Sequence, residues 1–122
     1  MKYLCLIYTD PQKLAALSKE ELAALQKSSM PRVEELKRSG ALLISGGLGP
    51  EHMCIRPGAE TPVITDGPFL ETKEQLGGLF IIEARDLNDA LRVASGMVNG
   101  GSTGPAIGGG IEVRPVPYST GL

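Results

Sequence analysis

A chain of 122 residues, 42% hydrophobic and 21% charged, has the composition of one globular domain and enough length to bury a core without metal or disulfide staples. Its formal net charge of -2, from 12 basic and 14 acidic residues of interspersed sign, offers no field for phosphate backbones or anionic lipid, which argues against nucleic acid as a direct partner. The opening apolar run Tyr3 to Tyr8 is too short for a signal-peptide core and no later run approaches membrane length, so no membrane partner and a cytoplasmic location are expected.

Lys2 to Tyr8 reads as a first strand, with Tyr3, Cys5 and Ile7 on one face and Leu4, Leu6 and Tyr8 on the other. Both faces are apolar, so both need cover. Thr9-Asp10-Pro11 ends it. Ser18 with Glu21 is a capping-box signature, and behind it Leu22, Leu25, Val33 and Leu36 share one stripe of a long amphipathic helix. Pro31 predicts a kink, or two helices meeting near Ser29, and Gly40 ends the helix. Ala41 to Ser45 is a second strand. The glycines of Gly46-Gly47-Leu48-Gly49-Pro50 then read as a turn rather than a phosphate cradle, because no Gly-Lys-Ser/Thr and no helix pattern follow them. No cofactor is expected.

Met53 to Arg56 and Pro62 to Thr65 form the arms of a hairpin around Pro57-Gly58-Ala59-Glu60. Leu76 to Ala84 is a strand apolar on both faces and therefore central. Asp86 to Asp89 caps a second helix with an expected buried stripe of Leu87, Leu91, Ala94 and Val98. The glycine-rich segment 99–110 is a loop, Ile111 to Val116 is the last strand, and residues 118–122 are a tail behind a single domain spanning 1–117. The two cysteines, Cys5 and Cys54, sit in separate apolar segments as reduced core residues, and with His52 the only histidine no metal site is expected.

Strand, helix, strand, inserted hairpin, strand, helix, strand is the order of an α+β fold of the ferredoxin-like, split βαβ kind. Two helices cover one face of such a sheet. A second copy is the economical cover for the other, so a homodimer with facing sheets is expected.

Polar chemistry concentrates at Thr65-Asp66-Gly67-Pro68-Phe69-Leu70-Glu71-Thr72-Lys73-Glu74. Asp66 has two readings. Asp-Gly is a turn pair in which the carboxylate bonds amides two residues on; alternatively the carboxylate stands at a cavity mouth, where partial desolvation suits it to move protons as a general base. Phe69 would then supply an apolar wall, and Lys73 or Arg114 would orient an anionic group of an unidentified small organic molecule. His52 is read as exposed or structural.

This stretch, continued by Gln75-Leu76-Gly77-Gly78 and bracketed by Lys2-Tyr3-Leu4 and Glu112-Val113-Arg114-Pro115, closely resembles the YCII-related (DGPF-domain) proteins. The resemblance covers nearly the whole chain. It implies a dimeric α+β barrel of ferredoxin-like protomers. Relatives in the wider superfamily act as isomerases, lyases or dehydrochlorinases on small molecules, which implies cofactor-free proton transfer as one function. A His-Asp pair serves a more distant branch; here the first helix has no histidine and only Asp66 offers the acidic half. The different function that the resemblance implies is a non-catalytic binding or regulatory role in an extracytoplasmic-function sigma-factor pathway.

Overall fold

The computed structural model describes residues 1–122. Strand β1 (Lys2–Thr9) is followed by a five-residue helix α1 (Pro11–Ala15), the long helix α2 (Lys19–Arg38) and strand β2 (Leu42–Gly47). Strands β3 (Met53–Arg56) and β4 (Val63–Asp66) make the inserted hairpin, and β5 (Gln75–Glu83), α3 (Leu87–Ser95) and β6 (Gly110–Val116) complete the chain. The main sheet runs β2-β5-β1-β6, antiparallel throughout, and the hairpin is a separate two-stranded sheet. With the hairpin set aside this is the ferredoxin-like arrangement, with the two strands that are apolar on both faces at its centre.

Local chemistry explains most boundaries. Asp10 both ends β1 and caps α1: its Oδ1 accepts from the amides of Gln12 (3.1 Å) and Lys13 (3.2 Å), and Pro11 occupies the first helical position, where no amide partner is needed. The capping box of α2 is formed, with the Glu21 amide donating to Ser18 Oγ and the Ser18 amide to Glu21 Oε1, each at 3.1 Å. At the far end the Ala41 amide donates to Leu36 O and the Gly40 amide to Lys37 O, the paired bonds of a Schellman stop.

Three expectations change. The chain does not divide at Pro31, because α2 continues through it for 20 residues. Ser28 and Ser29 donate their hydroxyls to the carbonyls of Leu25 and Gln26, and the Gly101 amide also donates to Leu25 O, so the turns before the proline draw on donors outside the helical ladder. The buried stripe of α3 is Ala90, Val93 and Ala94, while Leu87 and Leu91 stay 47% and 44% exposed. The helix is turned so that its small side chains meet the sheet, which allows close approach, and Ala94 is common to both phases. Strand β2 also runs two residues further than expected, into Gly46 and Gly47, which pair with Leu79 and Gly78.

The core lies between one sheet face and the helices. Tyr3, Cys5, Phe80, Ile82 and Ala84 pack there against Leu36, Ala90, Val93 and Ala94. Burial pushes the Cys5 thiol up to about 11, and both cysteines are free. The opposite face carries Leu4 and Leu6 of β1 beside Ile81 and Leu79 of β5, with Ile44 of β2 at one side, 45% exposed. No element of the chain covers that face. On its other side stand Glu112 and Arg114 of β6, opposite Leu6 and Leu4, with the Arg114 Nε 4.0 Å from the Glu112 carboxylate.

Candidate functional site

The largest concavity lies where β1 ends, β6 begins and the segment after the hairpin returns to the sheet. It is an open hollow of about 720 Å³, within the size range of small-molecule sites. Tyr8 and Glu112 approach it from the open sheet face, Lys13 from the first turn of α1, Lys73 and Glu74 from the returning segment, and Gly108 to Gly110 from the turn into β6.

The glycine turn shapes one wall. The Gly109 amide donates to Glu74 Oε2, so the turn before β6 is tied to the segment before β5. Gly109 has φ +82, and a β-carbon there would collide with the Tyr8 carbonyl oxygen. Only glycine fits this crossing.

The carboxylates of the cavity are already engaged. Asp10 holds the amides of α1, Glu74 holds Gly109, and Glu112 lies within reach of Arg114. Neither Lys13 nor Lys73 has an acidic partner within 4.0 Å. The two ammonium groups are thus charges without an opposite partner, on a wall of three acidic side chains and two lysines. Tyr8 adds a hydroxyl. Desolvation at the cavity wall raises its pKa, and the neighbouring Glu112 carboxylate raises it further against a small opposing effect of Arg114. At neutral pH this phenol holds its proton and can donate it.

A second hollow of about 430 Å³ adjoins the first between the hairpin and the start of β5. Met53, Pro68, Phe69 and Leu76 give it an apolar wall, and Tyr8, Leu70, Thr72 and Glu74 belong to both hollows. Phe69 is held at its rim by the Arg56 guanidinium, 4.6 Å from the ring centroid. His52 is exposed on this wall, with Nδ1 2.9 Å from the Pro50 carbonyl oxygen, and Cys54 is buried with Sγ donating to Gly67 O at 2.7 Å.

The residues singled out from the sequence separate. Lys73 lines the polar hollow and Phe69 the apolar one. Arg114 stands on the open sheet face outside both. Asp66 ends β4 opposite Met53, exposed to solvent; Gly67 after it does take positive φ, at +86, but the Asp66 carboxylate bonds no turn amide and lines neither hollow. Glu74 belongs to the polar stretch marked in the sequence, and Glu112, which shares a strand face with Arg114, lines the polar hollow with Tyr8; Lys13 was not singled out. An Asp-Pro pair followed by Lys13 is itself a helix-start signal. The Tyr8–Glu112 meeting depends on the β1–β6 register, which no local pattern carries.

No group of three or more His, Cys, Asp or Glu side chains is placed to hold a metal ion, and no helix is long and apolar enough to cross a membrane. The chain is 33% identical over 118 residues to an uncharacterized protein of Rhizobium meliloti (strain 1021), a match covering 95% of this chain and 92% of that one. The model of the YCII-related domain matches residues 1–116. That match runs over nearly the whole chain, and the chain belongs to the YCII-related domain family.

Proposed function

We propose that this protein is a homodimer that binds a small organic anion in the hollow beside Tyr8. The observation that carries the binding site is the pair of unpartnered ammonium groups, Lys13 and Lys73, on one wall where Asp10 and Glu74 already accept from amides and Glu112 faces Arg114. The dimer is supported by the uncovered face of Leu4, Leu6, Leu79 and Ile81, an apolar strip of the kind that two copies bury against each other. Two ferredoxin-like protomers joined that way make a dimeric α+β barrel. The hollow then lies at the barrel's margin, since Tyr8 and Glu112 share the face being covered.

The chemistry this site supports is cofactor-free proton transfer of the isomerase or lyase type. The Tyr8 phenol is the donor, and the Glu112 carboxylate beside it is the acceptor. Binding is the first quantity to measure. Calorimetric titration with benzoate is expected to show saturable binding that Lys73→Gln weakens at least tenfold and Asp66→Asn changes less than twofold. Loss of binding in Asp66→Asn with Lys73→Gln unaffected would move the site to the hairpin end and overturn this reading.

A further inference from the structure

We infer that the ligand of this site is an amphipathic monoanion: a carboxylate-type head between Lys13 and Lys73, joined to an apolar ring or chain that passes Tyr8 into the hollow beneath Phe69. This deepens the reading of the Tyr8 hollow as a ligand site and rests on it. The two hollows adjoin, with Tyr8, Leu70, Thr72 and Glu74 bordering both. Their chemistry differs by compartment: three of the twelve residues around the first are hydrophobic, against six of the eleven around the second.

The head is anionic because only the lysines lack partners. It carries one charge rather than two for two reasons. Asp10, Glu74 and Glu112 stand on the same wall and oppose a dianion, and the wall offers two lysine point charges with no arginine fork for a phosphate. The body is apolar because Met53 and Phe69 are each 60% exposed and Leu76 is 42% exposed, large side chains that the folded chain leaves uncovered around one hollow. Each methylene that the body buries there is worth about fourfold in affinity. Methionine at the far wall adapts to bodies of differing shape.

The test is a calorimetric series of acetate, 4-phenylbutyrate, 4-phenylbutan-1-ol and 4-phenylbutylamine, which present the head alone, both parts, the body alone and the body with the wrong charge. 4-Phenylbutyrate is expected to bind at least tenfold more tightly than the other three. Lys73→Gln should abolish its advantage over the alcohol, and Phe69→Ser its advantage over acetate; should Phe69→Ser disturb the circular dichroism spectrum, Met53→Ser replaces it. Equal binding of the amine and the acid overturns the inference. So does acetate binding as tightly as 4-phenylbutyrate with Lys73 dependence retained, an outcome that leaves the anion site itself intact. Absence of binding by both acids removes the ligand site and the inference together.

Discussion

Gly109 crosses the backbone of Tyr8 so closely that no β-carbon fits between them, and the same glycine donates its amide to Glu74. One residue thus fixes the distance between three walls of the hollow. Gly109→Ala combines a left-handed backbone conformation with a steric collision, and is expected to cost about 2–4 kcal/mol in denaturant unfolding. Gly110→Ala, where a β-carbon meets nothing within 4 Å, should cost less than about 1 kcal/mol. Equal stability of the two variants would show that the crossing is looser than described.

Sedimentation velocity at micromolar concentration is expected to show a dimer for the wild type. Leu6 lies at the middle of the uncovered face, opposite Leu79 on one side and Glu112 on the other. Leu6→Lys should convert the dimer to a monomer with an unchanged far-ultraviolet spectrum, because that side chain contributes to the open face and not to the helix-covered core. A wild type that is monomeric and well folded would contradict the facing-sheet arrangement.

Two aspartates distinguish a cap from a free carboxylate. Asp86 Oδ1 accepts from the Asp89 amide at 2.8 Å at the start of α3. Asp86→Ala should therefore lower stability by about 1 kcal/mol. Asp66→Asn, whose carboxylate holds nothing in its own turn, should change it by less than about 0.5 kcal/mol. A larger loss in Asp66→Asn would restore the turn role that its sequence context suggests.

The buried Cys5 thiol sets an alkaline limit. Its folded pKa lies near 11, above the ordinary thiol value, so above about pH 9 the unfolded chain loses a proton that the folded one keeps. Stability is full below the unfolded value and falls as pH rises toward the folded one. Cys5→Ala should flatten the fall in melting temperature between about pH 9 and pH 11, whatever its own cost in packing. An identical alkaline slope in both proteins would mean that the thiol is more solvated than its burial implies.

The fold was legible where a pattern is local. Alternation marks β1 and β5, the capping box marks α2, and the Asp86 cap marks α3. What the patterns miss is what needs a neighbour. The phase of α3 was displaced because Leu87 and Leu91 outweigh Ala90 in any hydrophobicity count, whereas packing favours the small residues that let the helix close on the sheet. Pro31 reads as a kink or a meeting of two helices, yet α2 runs through it as one element of 20 residues.

The candidate site divides the same way. Lys73 and Phe69 stand out within a dense local stretch and do line the adjoining hollows. Asp66 stands out for the same reason and faces solvent. Tyr8 and Glu112 are separated by most of the chain and meet only through the β1–β6 register, while the close crossing at Gly109 is hidden in a segment whose glycines suggest a plain loop.

The most direct measurement is a titration of the nitrogen-15 labelled protein with 4-phenylbutyrate followed in amide correlation spectra. Saturable shifts are expected at Thr72 to Glu74 and Gly108 to Ile111 around the head and at Met53 and Phe69 around the body, with the hairpin tip at Pro57 to Glu60 unmoved. Shifts centred on Asp66 or the hairpin tip, or no saturable shifts at all, would contradict the placement of the ligand site beside Tyr8.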